Sequence, residues 1–348
     1  MININSSTKI YKVLFSKKIK LNNKKNYFFI VDDFFIKNKI SSLNFPKNKT
    51  IYVKASEKNK SYDNISNIIS KLLKKNIDKS STIICVGGGI MQDISSFISF
   101  ILFRGIEWVF IPTTLLSQGD SCIGSKIAIN HKLTKNLLGG YYPPNKVILN
   151  SSFLDTLPLT QIYSGLGEIA HYYYLSNKKN YSYFKENVNK FNNNISINYA
   201  KIIEKSLLIK KHYIEKDEFE NKERIYLNYG HTFGHAIESI SNFKIPHGIA
   251  VSMGMHIANY ISYKFGYFKV NELLEYQNPL EIIFKKYNNF SFSPQILMKK
   301  ILQDKKVINN KARIIILKKI GSPIIKEFKK NSSLLLLLKE YKEYKGQL

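Results

Sequence analysis

Three of the chain's seven histidines lie in one segment, LNYGHTFGHAIESISNFKIPHGIAVSMGM, residues 227–255. His231 and His235 are four residues apart and would share one face of a helix, whereas His247 follows a turn marked by Pro246. Neutral imidazoles are good ligands for zinc, cobalt or iron. These three side chains could therefore converge on one metal ion, although their spacing alone does not decide which of them bind it.

A catalytic metal site often adds a carboxylate ligand and keeps one position open for substrate. The best candidate is Glu168 in SGLGEIAHYYYL, a segment of small and apolar residues where an unpaired carboxylate would be costly to bury. The protease motif HExxH is absent, because position 232 is threonine. The alternative for each histidine is a hydrogen-bonded core or capping residue.

Three consecutive glycines, Gly87–Gly89, separate an apolar strand pattern from a helical pattern. Glycine lets the backbone approach a phosphate, and the helix N-terminus supplies N–H donors. Asp93 enters that helix, where it could cap the helix or contact a ribose, and Glu57 and Lys60 follow another strand pattern. The motif is not GxGxxG, so packing glycines and solvated loop charges are the alternatives.

A dense polar segment, PTTLLSQGDSCIGSKIAINHKLTKNLLGGYYPP, covers residues 112–144. Its amines and amides at Lys126, Lys135 and Asn136 suit a substrate that carries phosphate or many hydroxyls. A surface loop is the alternative interpretation.

Apolar strand patterns alternate with helical patterns up to about residue 155. This alternation predicts a Rossmann-like parallel α/β sheet. From Leu159 onward helical patterns dominate until the strand-like ARIIIL. We therefore predict an α/β nucleotide-binding domain over residues 1–158 and a mostly α-helical metal- and substrate-binding domain over residues 159–348.

The formal net charge is +28, but the 50 lysines are spread along the chain and only three arginines accompany them. This pattern predicts no specific nucleic-acid partner. The absence of 18 consecutive apolar residues predicts no membrane span, and two cysteines without a disulfide framework predict a reducing cytoplasm. Because arginine offers a bidentate fork that lysine cannot copy, each of Arg104, Arg224 and Arg313 is a candidate for an anion contact.

Together these residues resemble the 3-dehydroquinate synthase family of NAD- and metal-dependent sugar phosphate cyclases. The resemblance spans roughly residues 55–320. It is carried by the segments SEKNK, GGGIMQD, FRGIEWVFIPTTLLSQGDSCIGSKIAIN, KNLLGGYYPP, SGLGEIA, KDEFENKERIYLNYGHTFGHAIE, HGIAVSMGM and DKKV.

The resemblance implies that Glu168, His231 and His247 bind a divalent metal, Zn²⁺ or Co²⁺. It implies NAD contacts by Glu57, Lys60, Gly88, Gly89, Asp93, Thr113, Thr114, Lys126, Lys135, Phe153 and Thr156. It implies substrate contacts by Asp120, Lys126, Lys135, Asn136, Lys210, Arg224, Asn228, His235 and Lys306, the last as one of a lysine pair with Lys305. Arg104 resembles an arginine that reaches the substrate phosphate across a homodimer interface.

The implied activity is a phosphate-eliminating lyase reaction of the shikimate pathway. It would cyclise 3-deoxy-D-arabino-heptulosonate 7-phosphate to 3-dehydroquinate with transient oxidation by NAD. Arg224 and Lys210 favour such a carboxylated substrate, because in the resemblance they help to hold it.

Several residues depart from the family pattern. His171 stands where a lysine is usual three residues after the glutamate ligand, Ile249 replaces glutamate, Ser125 replaces glycine and YYPP replaces FYQP. These departures keep open a cyclase that acts on sedoheptulose 7-phosphate or glucose 6-phosphate. A metal-dependent polyol dehydrogenase and a non-catalytic basic binding protein are further alternatives.

Overall fold

The structure is a computed structural model that describes residues 1–19, 26–37, 45–132, 134–303, 311–329 and 333–346. The chain divides into two compact units, Met1–Leu157 and Pro158–Leu348. Among the described residues, no helix is both long and apolar enough to cross a membrane.

The first unit is an α/β unit built around one sheet. Its elements in chain order are β1 (Ile2–Asn5), β2 (Ile10–Phe15), β3 (Tyr27–Asp32), α1 (Phe34–Lys37), β4 (Thr50–Val53), α2 (Tyr62–Leu73), β5 (Thr82–Gly87), α3 (Gly89–Ile101), β6 (Glu107–Pro112), β7 (Lys126–His131), β8 (Thr134–Tyr141) and β9 (Lys146–Leu149).

Within the described residues the main sheet has the strand order β1-β2-β9-β6-β5-β3-β4. β1 pairs with β2 antiparallel, and every other neighbouring pair is parallel. β5 is buried along its whole length, as expected of a strand with helices on both faces. This doubly wound sheet confirms the predicted fold class, and its parallel strands have their carboxyl ends at one edge.

Helix α2 illustrates how the sequence pattern produces this unit. Ser61 caps its N-terminus by accepting a hydrogen bond from the Asn64 backbone N–H. The apolar residues Ile65, Ile68 and Leu72 recur at helical spacing and are buried, so one face packs on the sheet while the other carries polar side chains.

The second unit is mostly helical. Its elements are α4 (Leu159–Tyr174), α5 (Lys178–Asn192), α6 (Tyr199–Lys216), α7 (His231–Ile240), α8 (His247–Lys264), α9 (Val270–Phe284), α10 (Pro294–Leu302), β10 (Lys311–Leu317), β11 (Pro323–Lys329) and α11 (Ser333–Gly346). Helix α8 is the centre of this unit: it packs against α4, α7 and α9, and fifteen of its residues are buried. The helical character of this unit confirms the predicted fold class.

Several elements were not predicted from the sequence. The dense polar segment contains the antiparallel hairpin β7–β8, and β11 pairs with β10, the strand predicted from ARIIIL. Helix α5 lies in the asparagine- and lysine-rich segment 177–198, yet it buries Tyr181 and Phe184 completely. Ser125, which precedes the hairpin, has φ 63°, a left-handed conformation that favours glycine.

Candidate active site

The predicted metal ligands lie on three helices of the second unit. Glu168 is in the middle of α4, His231 is the first residue of α7, and His247 is the first residue of α8. Close backbone contact between α4 and α8 brings the first and last of these together. A Cβ added at Gly248 would lie 1.8 Å from the Ser164 carbonyl oxygen, and one added at Gly167 would lie 2.1 Å from the Gly248 carbonyl oxygen.

A second glycine contact joins α7 to α8. Gly230 caps α7 with φ 82°, and a Cβ at Gly254 would lie 2.0 Å from the Gly230 carbonyl oxygen. Each predicted ligand is therefore next in sequence to a glycine at which two helices touch. This packing fixes the ligands on rigid backbone.

The donor atoms of the three side chains converge. The Glu168 Oε1 atom lies 3.4 Å from His231 Nε2, and Glu168 Oε2 lies 3.2 Å from His247 Nε2. Tetrahedral ligands at zinc bond lengths of roughly 2.0–2.1 Å are about 3.3 Å apart. The donor set and its spacing therefore fit one divalent ion held by Glu168, His231 and His247.

The outer nitrogens of both histidines are held by hydrogen bonds. His231 Nδ1 contacts the Tyr229 carbonyl oxygen at 3.3 Å, and His247 Nδ1 contacts Glu238 Oε2 at 2.9 Å. Such contacts fix the tautomer and ring orientation of metal-binding histidines, and they leave Nε2 directed at Glu168.

Glu238 was not predicted from the sequence as a site residue. It lies in α7 seven residues after His231, a spacing that places the two on one helix face. The seven-residue spacing from His231 was the sequence signal that could have identified Glu238 as a site residue.

The electrostatics of this cluster favour a cation. Burial opposes ionisation of the Glu168 carboxyl, but the His247 and His231 imidazoles hold its pKa well below the usual range. Burial likewise opposes protonation of His247, but Glu168 and Glu238 raise the pKa of its imidazole well above the usual value. The buried Glu168 and the partly buried Glu238 carboxylates thus stabilise positive charge at the His247 ring, as they would a bound divalent ion.

Two further histidines border this cluster. The His235 ring centroid lies 5.7 Å from that of His231 and 5.6 Å from that of His247. His171 is 1% exposed, and its ring centroid lies 5.2 Å from that of His231.

The remaining predicted substrate contacts of the second unit lie on α6 and the segment before α7. Lys210 is buried, with its Nζ 6.0 Å from the Tyr172 ring centroid. Arg224 is buried and donates from Nη1 to the Glu218 carbonyl oxygen. Asn228 donates from Nδ2 to the Ile225 carbonyl oxygen at 3.1 Å. Lys306 lies outside the described residues.

In the first unit, the predicted NAD contacts follow the carboxyl ends of parallel strands. Gly88 and Gly89 follow β5, Thr113 and Thr114 follow β6, Glu57 follows β4, and the turn that contains Phe153 and Thr156 follows β9. Doubly wound sheets bind their ligands at this edge. A Cβ at Gly88 would lie 3.0 Å from Thr114 Cγ2, so the glycine loop and the loop after β6 are in contact.

Lys60 and Asp93 are not solvated loop charges. The Lys60 Nζ lies 2.7 Å from Asp93 Oδ2, with side chains 7% and 22% exposed. Burial raises the pKa of the Asp93 carboxyl despite the opposing effect of Lys60. The pair joins the loop after β4 to α3, so both residues have a structural role whatever they bind.

The hairpin β7–β8 is attached to the same loop. Asn130 Nδ2 donates to Glu57 Oε2 at 2.8 Å, and the Asn136 backbone N–H donates to Asn130 Oδ1 at 3.0 Å. The strand register places Lys126 opposite Tyr141, at the other end of the hairpin from Lys135. The hairpin therefore brings Asn136 near Glu57 but holds the two lysines apart.

Asp120 is half-buried in the turn Ser117–Ser121. Arg104 is exposed and has φ 63°. It follows the exposed side chains of Phe100, Ile101 and Phe103, so the arginine lies beside an apolar surface of the first unit.

Comparison with known proteins agrees with this architecture. The family model for the 3-dehydroquinate synthase N-terminal region matches residues 50–164, and the C-terminal model matches residues 165–307. The chain therefore belongs to the 3-dehydroquinate synthase family.

Two curated relatives cover most of the chain. A 3-dehydroquinate synthase of Dictyoglomus turgidum is 38% identical over 87% of this chain and 85% of its own length. That of Dictyoglomus thermophilum is 37% identical over 93% of this chain and 92% of its own. Among solved structures, a 2-deoxy-scyllo-inosose synthase in complex with carbaglucose-6-phosphate, NAD⁺ and Co²⁺ has a TM-score of 0.85 at 21% identity, covering 97% of this chain and 99% of that one. This last likeness establishes the fold.

Proposed function

We propose that this chain is a 3-dehydroquinate synthase, which converts 3-deoxy-D-arabino-heptulosonate 7-phosphate to 3-dehydroquinate and phosphate. The observation that carries the proposal is the buried Glu168 carboxylate between the Nε2 atoms of His231 and His247, at 3.4 and 3.2 Å. The curated relatives named above support the same activity. The reaction is a carbon–oxygen lyase reaction, because phosphate leaves by elimination.

The cofactors are NAD and a divalent ion, Zn²⁺ or Co²⁺. Bound NAD supplies a hydride acceptor, and the bound ion supplies a Lewis acid for substrate hydroxyls. Glu168, His231 and His247 hold the ion, while Glu238 and the Tyr229 carbonyl oxygen keep the two imidazoles oriented. The loops after β4, β5, β6 and β9 hold NAD.

The remaining site residues bind the substrate. Lys210 and Arg224 bind its carboxylate, because charge-assisted hydrogen bonds from amine and guanidinium groups suit an anion. His235 transfers a proton, the role for which histidine is best suited near neutral pH. The further substrate contacts are Asp120, Lys126, Lys135, Asn136, Asn228 and Lys306, with Arg104 on the phosphate.

The first test is phosphate release from 3-deoxy-D-arabino-heptulosonate 7-phosphate by purified protein with catalytic NAD and Zn²⁺ or Co²⁺. We expect dehydroquinate and phosphate in equal amounts, no net NADH, and no reaction after EDTA treatment. His247→Ala should lose this activity, whereas the exposed His212→Ala should retain it. Protein that binds NAD and metal but releases no phosphate would rule the proposal out, and lasting NADH formation would indicate a polyol dehydrogenase.

His171 supports one second candidate. Because it replaces the family lysine, the substrate could instead be sedoheptulose 7-phosphate or glucose 6-phosphate, neither of which has a carboxylate. Both are therefore assayed in parallel under the same conditions. Turnover of either one, with none of the heptulosonate phosphate, would select the second candidate.

We further propose that residues 1–158 bind NAD, that residues 159–348 bind the metal and the substrate carboxylate, and that the protein is a cytoplasmic homodimer. Cys85 and Cys122 are buried thiols that are not joined in a disulfide, which supports a reducing compartment. Arg104 beside the exposed Phe100 and Phe103 supports a contact between copies. Co-expression of Arg104→Ala with His247→Ala tests this arrangement: if Arg104 acts in the partner's site, mixed dimers recover activity that neither variant has alone.

A further inference from the structure

His171 occupies a position one helical turn after Glu168 in α4. Residues three apart on a helix lie on the same face, so both side chains point towards the same region. His171 is 1% exposed, and Glu168 is 4% exposed. Neither side chain is a solvated surface group.

The donor atoms of this pair lie close to a third ligand. One ligand atom each from Glu168, His171 and His231 lie within 4.8 Å of one another. The Tyr172 ring lies against His171, with the two ring centroids 3.9 Å apart. The imidazole is thus held among aromatic side chains beside the metal cluster.

A second group of potential ligands consists of His235, Glu238 and His247. One ligand atom from each of these residues also lies within 4.8 Å of the others. In that group, however, Glu238 Oε2 is already bound by His247 Nδ1 at 2.9 Å, and His247 Nε2 faces Glu168 Oε2 at 3.2 Å. His247 Nε2 thus faces the Glu168 carboxylate of the first group, while Glu238 contacts its other ring nitrogen.

The chemistry of the side chain decides what His171 can do there. A lysine ammonium has donors only and carries a positive charge, so it cannot bind a cation. An imidazole in its neutral form offers a nitrogen lone pair and is a frequent ligand of zinc and cobalt.

We propose that His171 is a further ligand of the divalent ion, which is then held by Glu168, His171, His231 and His247. This inference rests on the metal centre of the proposed function and extends it. A third imidazole strengthens the preference for metals that favour nitrogen, such as zinc and cobalt, over manganese and magnesium. It also leaves fewer coordination positions for substrate hydroxyls, so the departure from the family lysine changes metal binding and substrate binding together.

The decisive measurement uses the wild-type protein. X-ray absorption at the zinc edge counts the imidazole rings bound to the ion through their outer-shell scattering. Three imidazoles would support the proposal, and two would overturn it. The His171→Lys variant should show two imidazoles under the same conditions.

Zinc affinity, measured by competition with a chromogenic chelator, gives an independent result. We expect His171→Ala and His171→Lys to bind zinc at least ~10-fold more weakly than wild type, since even the loss of a group that only orients a ligand costs roughly this much. His212→Ala, a histidine exposed on α6 of the same unit, is the matched control and should bind as wild type does. Wild-type affinity in both His171 variants would overturn the proposal.

These outcomes separate the inference from the function on which it rests. If wild-type protein binds no metal, or if His231→Ala and His247→Ala bind it as wild type does, the proposed metal centre is wrong and the inference fails with it. If His231→Ala and His247→Ala lose zinc binding but the His171 variants bind zinc as wild type does, the proposed metal centre is supported and the role of His171 as a ligand is refuted.

Discussion

The glycine contact between α4 and α8 leads to a sharp prediction for Gly248→Ala. The new Cβ would lie 1.8 Å from the Ser164 carbonyl oxygen and 2.8 Å from the Glu168 backbone nitrogen. Both neighbours are backbone atoms, so no side chain can rotate away. To bring the first contact to 3.0 Å, the two helices must separate by about 1.2 Å.

This separation of the helices would displace the metal ligands. Gly248 is next to His247. The contacted atoms are the Glu168 backbone nitrogen and the Ser164 carbonyl oxygen one helical turn before it, and the Glu168 carboxylate lies 3.2 Å from His247 Nε2. A metal site tolerates ligand displacements of only ~0.2 Å. We therefore expect zinc affinity to fall at least ~10-fold and overpacking to cost about 1–3 kcal/mol of stability.

The two effects are measured separately. Guanidinium unfolding in EDTA, followed by circular dichroism, gives the stability of the metal-free protein, and chelator competition gives zinc affinity. Gly346→Ala is the matched control, because nothing lies within 4 Å of its Cβ position. If Gly248→Ala matched wild type in both measurements, the argument that this contact positions the ligands would be refuted.

Four further changes test other parts of the structure. Glu238→Gln should weaken zinc binding about 10–100-fold by removing the charge that orients His247, as measured by the same competition assay. Gly89→Ala should leave the unfolding midpoint unchanged, because its Cβ would meet only Ser121 Oγ at 3.9 Å, while calorimetry shows weaker NAD binding. Ser125→Gly should raise stability by roughly 0.5–1 kcal/mol, because it relieves the left-handed strain at φ 63° at some cost in backbone entropy. Burial opposes ionisation of Asp217, but backbone N–H groups of Asn221, Lys222 and Arg224 lower its pKa. The ionised Asp217 carboxylate therefore contributes stability above pH ~3.9, the usual pKa of aspartate in an unfolded chain. This contribution is lost as the pH falls through the lower pKa of the folded state. Asp217→Asn should thus be less stable at pH 7 and lose less stability on acidification, in denaturant titrations across this range.

The sequence predicted features that depend on neighbouring residues. The alternation of strand and helical patterns up to about residue 155 predicted the parallel α/β unit, and the apolar run before Gly87 predicted the central strand β5. Such signals are readable because burial of a helix face or a strand imposes a period on the chain itself. Glu168 could be recognised as a candidate ligand because its neighbours in the sequence are small and apolar, and an unpaired carboxylate would be costly to bury among them.

Tertiary structure decided the features that depend on distant residues. The hairpin β7–β8 is attached to the rest of its unit through Asn130 and Ala128, which donate hydrogen bonds to Glu57 and Asp93, residues 35 or more positions away. The burial of Lys60 depends on Asp93, and the orientation of His247 depends on Glu238 and on the glycine contact with α4. The sequence by itself determined which residue types could bind a metal and a nucleotide. Which of them share a site depended on long-range packing, because hydrogen bonds and ion pairs between distant segments leave no period in the sequence.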